Sequence, residues 1–228
     1  MENDRFTRRS SLAKLGGLVV AGLGGGALVS SEEAEGSNKA VETGAVSCVL
    51  TPELTEGPYY IAGEKLRRDV RDGHPGTLLT LRLTVLNASN CSPIKGAAVD
   101  IWHADAAGNY SGFSSDTSSR TFMRGIQRTD ANGLATFLTV YPGWYQGRTV
   151  HIHVKVHVGG SVVHTGQLFF PDTLTDSAYK KTPYSSRPNR TTRNAQDSIY
   201  VNGGKRGMLE VVKSGAGYVG SIAMGVHR

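Results

Sequence analysis

Thr149-Val150-His151-Ile152-His153-Val154-Lys155-Val156-His157-Val158-Gly159-Gly160 alternates apolar and polar residues and then breaks on two glycines. This pattern predicts a strand from Arg148 to Val158. Its period of two sends His151, His153, Lys155 and His157 to one face and Ile152, Val154 and Val156 to the other. The glycine pair predicts a hairpin into a second alternating run, Ser161 to Phe170. Outward from this hairpin the same reading gives strands at Leu78 to Asn87, Ala97 to His103, Thr121 to Arg128, Leu134 to Val140, Met208 to Lys213 and Gly217 to Val226. Asp130 to Gly133 supplies another hairpin signal, and short helices are expected only near Thr173 to Lys180 and Thr192 to Tyr200. Many short strands with almost no helix predict an all-β fold, an antiparallel β-sandwich. With 228 residues, 39% of them hydrophobic, the chain can bury one sizeable core.

The same hairpin carries chemistry. Tyr145 and Arg148 lie just before His151 and His153, and a second phenol, Tyr110, lies upstream in Gly108-Asn109-Tyr110. Two imidazoles on one face of a strand can hold one ion. A phenol becomes a ligand only when it ionises, and a strongly Lewis-acidic centre is needed to pull its pKa down from about 10. Two Tyr with two His therefore favour Fe(III) over Zn(II), which more often takes Cys, His or carboxylate. Other readings stay open on these residues alone. His-x-His is also the polar face of an amphipathic strand, since Lys155 and His157 continue it in phase. A Zn or Cu site could use His151, His153, His157 and His164, and a secreted β-sandwich could bind a polyphenol or carbohydrate without turnover. A cupin is excluded because it needs a glutamate soon after His-x-His, and the next one is Glu210.

Taken in order, the motifs resemble those of the intradiol ring-cleavage dioxygenases. Asp100-Ile101-Trp102-His103 leads to Gly108-Asn109-Tyr110, Pro142-Gly143-Trp144-Tyr145 follows, then Arg148-Thr149-Val150-His151-Ile152-His153, then Gln167-Leu168-Phe169-Phe170-Pro171, with Gly57-Pro58-Tyr59-Tyr60 near the start. The resemblance runs from about Thr51 to Pro171 and rests on the conjunction of motifs, any one of which is weak alone. It implies a prealbumin-like β-sandwich. It also implies non-haem Fe(III) held by Tyr110, Tyr145, His151 and His153, with Arg148, Tyr145 and Gln167 in catalysis. Pro58, Tyr59, Arg148 and Gln167 would line the substrate pocket. The implied partners are a small aromatic diol and O2, and the implied product is a muconate-type diacid. Thr149-Val150 depart from the Pro-Ala usual at that place in the family. A looser backbone is expected there without the proline. The helical dimerisation segment of catechol-type relatives has no counterpart, so the oligomeric state is left open.

The flanks read differently. Thr7-Arg8-Arg9-Ser10-Ser11-Leu12-Ala13-Lys14 followed by the apolar run Leu15 to Val29 resembles a twin-arginine export signal spanning residues 1–31, too short an apolar run for a membrane span. Residues 32–47 read as an acidic linker, which leaves residues 48–228 as the domain. Export would place it in the periplasm or outside the cell. In that oxidising setting a Cys48–Cys91 disulfide is expected. Formal charge is +6, and the chain beyond residue 47 holds 20 Lys or Arg against 13 Asp or Glu. No nucleic-acid motif accompanies that charge, and Arg187, Arg190 and Arg193 read as a solvated basic loop.

Overall fold

Leu79, Leu81, Leu83 and Val85 alternate along β1 (Leu78–Asn87), and all four are fully buried while the residues between them are not. Such alternation is what a strand with one face on a core requires. The computed structural model describes residues 50–227. Eight strands follow in order: β1, β2 (Ala98–Trp102), β3 (Arg124–Arg128), β4 (Leu134–Val140), β5 (His151–Val158), β6 (Ser161–Phe169), β7 (Glu210–Ser214) and β8 (Gly217–Val226). They form two four-stranded sheets, ordered β4-β1-β8-β7 and β3-β2-β5-β6. Two short helices, α1 (Asp172–Ala178) and α2 (Ser198–Asn202), lie between β6 and β7. Among the described residues no helix is long and apolar enough to cross a membrane. The expected export signal and linker lie outside the described residues.

The sandwich is not purely antiparallel. β1 and β8 pair in parallel, from Leu79 opposite Tyr218 to Asn87 opposite Val226, while every other strand pair is antiparallel. Alternation cannot tell strand direction, because it fixes which face a side chain takes and not which way the neighbour runs. Four expected strands also start late, among them β7, which begins at Glu210 rather than Met208. Met123 sits at φ 55°, which breaks the extended path between Thr121 and β3; β2 begins at Ala98; and Arg148 to Val150 lie outside β5.

The two faces of the second sheet serve different purposes. Val99, Ile101, Ile152, Val154, Val156 and Leu168 point into the core shared with the first sheet. Asp100, Trp102, His151, His153, Lys155 and Gln167 take the opposite face, yet all are buried as well. The irregular segment from Leu54 to Tyr60 covers them. Leu54 N donates to Thr165 O (2.9 Å), Gln167 Nε2 to Thr55 O (2.8 Å), Arg124 Nη1 to Tyr59 O (2.6 Å), and Lys155 Nζ pairs with Glu56. Polar side chains are therefore enclosed on the outer side of a sheet, where each must find a partner or a ligand.

Candidate active site

β5 delivers two of the four candidate ligands. His153 is paired with Trp102 on β2 and with Gln167 on β6, and the Trp102 indole stacks on its ring at 4.9 Å and 8°. His151 Nδ1 lies 2.6 Å from Thr149 O. A carbonyl only accepts, so Nδ1 carries the proton and Nε2 is left as a lone pair. Burial, with the nearby Arg148 charge, pushes the His151 pKa down to about 3, and burial together with His151 holds His153 well below the usual imidazole range. Both imidazoles are therefore neutral at neutral pH.

Two loops deliver the tyrosines. After β2, Asp105 Oδ1 accepts from Ala107 N and Asn109 N, both at 2.9 Å, which shapes the turn that presents Tyr110. After β4, Gly143 N donates to Asp105 O (2.9 Å), so the loop carrying Tyr145 is tied to the same turn. Side chains are excluded at this junction. A Cβ on Gly143 would strike the Asp105 and Ala106 carbonyls, and one on Gly108, at φ 87°, would strike Trp144 O. The two phenols end with ring centroids 5.7 Å apart, and Tyr59 stacks on Tyr110 at 4.2 Å and 14°.

The four donors converge. Tyr145 Oη lies 3.2 Å from His151 Nε2, and His151 Nε2 lies 3.1 Å from His153 Nε2. Tyr110 Oη is buried, makes no close hydrogen bond and faces Tyr145, with its ring 6.2 Å from that of His153. Burial raises the pKa of both phenols, that of Tyr110 well above its ordinary value, so nothing in the protein alone ionises them. Neutral imidazole nitrogens facing each other beside a buried phenol that makes no close hydrogen bond suit a strongly Lewis-acidic cation, the donor set expected for Fe(III). The alternative four-histidine site does not form. His164 turns to Glu53 (3.1 Å), β5 shifts register between Val156 and His157, and among the described residues no three His, Cys, Asp or Glu gather to hold a metal.

Arg148 stands beside this cluster. Its Nη1 is 3.4 Å from His151 Nε2, its Nη2 donates to Gln167 Oε1 (2.5 Å), and its Nε donates to Asp197 Oδ2 (2.8 Å). Asp197 escaped the sequence reading. The only local sign of it is an Asp at the start of a short helix, whose Ile199 and Tyr200 amides it caps. The expectation of a loose backbone at Thr149 is overturned. Thr149 N donates to Asp197 Oδ2 (2.8 Å) and Thr149 Oγ1 to Asn194 Oδ1 (2.6 Å), contacts that use its amide and hydroxyl and that proline could not make.

The geometry agrees with the comparisons to known proteins. A family model described as "Dioxygenase" matches residues 55–181, more than half of the chain. The chain belongs to the intradiol ring-cleavage dioxygenase family. It is 36% identical over 145 residues to catechol 1,2-dioxygenase 2 of Acinetobacter lwoffii, a match covering 58% of this chain and 49% of that protein. An intradiol ring-cleavage dioxygenase from Tetranychus urticae superposes with a TM-score of 0.76 at 34% identity, covering 79% of this chain and 95% of that one. The dioxygenase domain of a dioxygenase carbohydrate-binding protein fusion from Streptomyces sp. SirexAA-E gives a TM-score of 0.62 at 31% identity over 78% of this chain and 98% of that one. The chain spans about half the length of the curated relatives it matches.

Within this intradiol fold, Tyr59 reaches the site through its stack on Tyr110 and its edge contact with Tyr145 (6.2 Å), while Pro58 is exposed in the turn before it. His103 is structural, buried between Ala104 O (2.8 Å) and Thr139 Oγ1 (2.7 Å). The solvated-loop reading of the arginines fails for two of the three. The Arg190 side chain is only 5% exposed and is paired with Asp172 and Asp176. Arg187 packs over Trp144 at 4.8 Å and donates to Trp144 O (2.8 Å). Those acidic and carbonyl partners lie up to 43 residues away, beyond the reach of a local pattern. Cys48 lies outside the described residues.

Proposed function

We propose that this chain is a non-haem Fe(III) dioxygenase that opens a catechol-type ring between its two hydroxyls, incorporating both atoms of O2 to give a muconate-type diacid. The observation that carries the reading is the convergence of Tyr110, Tyr145, His151 and His153 on one point, in a chain of this family. A ferric ion held by these four supplies Lewis acidity that favours catecholate over catechol, and the redox partnership with O2. The remaining roles fall to the protein. Tyr145, half-buried on its loop, would be a phenolate when the ion is bound and would take a proton from a catechol hydroxyl at its Oη. Arg148 aims its Nη1 and Nη2 at the face beside His151, where negative charge develops on the opening ring, and Gln167 holds Nη2 in that direction. Tyr59, Trp102 and the buried Tyr110 ring keep water from the inner side.

The test is oxygen uptake by ferric-loaded protein over catechol, hydroxyquinol and protocatechuate, with the visible spectrum recorded alongside. Tyrosinate-to-iron charge transfer colours the protein, and one O2 is consumed per diacid formed. A coloured protein that binds catechol without consuming O2 makes this a binding module. A colourless one after iron loading removes the metal assignment.

A further inference from the structure

Asp197 lies 16 residues beyond the end of the family match at residue 181, yet it reaches Arg148 at the edge of the candidate site. Its side chain is 1% exposed and all of its acceptor capacity is used. Oδ2 accepts from Arg148 Nε (2.8 Å) and Thr149 N (2.8 Å), and Oδ1 from Ile199 N (2.9 Å) and Tyr200 N (3.1 Å). Four donors on two oxygens leave the carboxylate no rotational freedom. Its own segment is anchored twice more: Asn194 Nδ2 donates to Phe170 O (2.9 Å), and Arg190 is clamped by Asp172 and Asp176 on α1. Rigidity is thus passed from α1 through residues 190–197 to the turn before β5.

We propose that Asp197 is a positioning residue for this site, fixing the Arg148 fork and the Thr149 turn that leads into His151, and balancing the guanidinium charge beside the metal ligands. The proposal rests on the ferric reading of the site. A guanidinium nitrogen 3.4 Å from a ligand nitrogen opposes a cation bound there unless an anion offsets it. Asp197 is the carboxylate in contact with Arg148. It hydrogen-bonds to none of the four candidate ligand side chains, so it acts through Arg148 and Thr149 rather than on the substrate.

The test is a cycle in the full-length ferric protein of Asp197→Asn, Arg148→Met and the double variant, with Asp197→Ser as a control that can still cap α2 but cannot reach Arg148. Loss of iron to a chelator is followed by bleaching of the visible band. We expect Asp197→Asn and Asp197→Ser to lose iron roughly tenfold faster than wild type, about 1.4 kcal/mol by the tenfold rule, with kcat reduced at least as far and KM within about threefold. In the Arg148→Met background the Asp197 substitution should add less than about twofold. Wild-type iron loss in the folded single variants overturns the assignment, and so does a full multiplication of effects in the double variant, which would make Asp197 a helix cap alone. If wild type holds iron but consumes no O2 with any catechol, the functional reading falls and the iron-loss cycle still decides Asp197. If wild type takes up no iron, the functional reading falls too, and the same cycle read by thermal unfolding decides: additive melting shifts overturn the positioning role.

Discussion

The two tyrosines differ most in exposure. Tyr110 is 6% exposed, its hydroxyl makes no close hydrogen bond, and Tyr59 lies flat against it. Tyr145 is half-buried on a loop, with its hydroxyl 3.2 Å from His151 Nε2. Tyr110→Phe should therefore lose most of its ferric content and visible band, whereas Tyr145→Phe should keep iron and bind catechol more slowly. Iron analysis and anaerobic stopped-flow spectra check both, and equal iron loss in the two variants would contradict the distinction. Asp100 makes a separate case. It is 1% exposed, neither oxygen makes a close hydrogen bond although Tyr60 faces it, and burial, reinforced by the nearby Glu64 charge, pushes its pKa up to about 7. A carboxyl whose folded pKa lies above its unfolded value of about 3.9 holds its proton more tightly in the fold. Its contribution is complete below that lower value and is lost as pH rises through 7. Between pH 5 and pH 8, wild type should lose roughly 1 to 3 kcal/mol more stability than Asp100→Asn, read from urea midpoints at both values. Identical pH dependence in the two proteins would refute it.

At the scale of elements, the turn into β5 is held by hydrogen bonds where proline would hold it by ring closure. Thr149 is 2% exposed, and its amide and hydroxyl are spent on Asp197 and Asn194. Thr149→Pro matches the family pattern in sequence but leaves two buried acceptors short of a donor, each costing about 1 to 3 kcal/mol. It should lower stability by about 2 to 4 kcal/mol and reduce turnover together, checked by thermal unfolding beside kcat. A stabilised variant would show that the turn accepts proline's constraint without these bonds. The limits of three strands, β1, β4 and β8, coincide with the sequence expectation, because clean alternation bounded by turn residues is local information. The parallel β1/β8 pair was not legible, since the two strands are separated by most of the domain.

For the whole molecule, the expected Cys48–Cys91 bridge is carried forward as a proposal. Cys91 follows β1 in a turn at φ 61°, so a bridge to Cys48 would tie the approach to the domain to the end of a central strand. Closing a loop of about 40 residues contributes roughly 3 to 4 kcal/mol in the chain-entropy model. Peptide mapping of non-reduced, exported protein should find the cross-linked pair, and reductant should lower the melting temperature. Alkylation of both thiols without reductant would exclude the bridge. Export itself is tested by whether Arg8→Lys/Arg9→Lys strands the protein in the cytoplasm.

By itself the sequence determined the strand alternation, the hairpins and the donor types of the site, because side-chain direction along a strand and ligand chemistry are both properties of a few adjacent residues. It placed His151 and His153 on one face and supplied Tyr110, Tyr145, Arg148 and Gln167 as their company. Only the tertiary structure decided that this face is roofed by residues 54–60, that the two tyrosine loops interlock at Gly108 and Gly143, and that Asp197 closes on Arg148 from 49 residues away. Those contacts join segments far apart in the chain. No local period encodes them, and their partners are chosen by which buried donors remain unsatisfied once the sheets have closed.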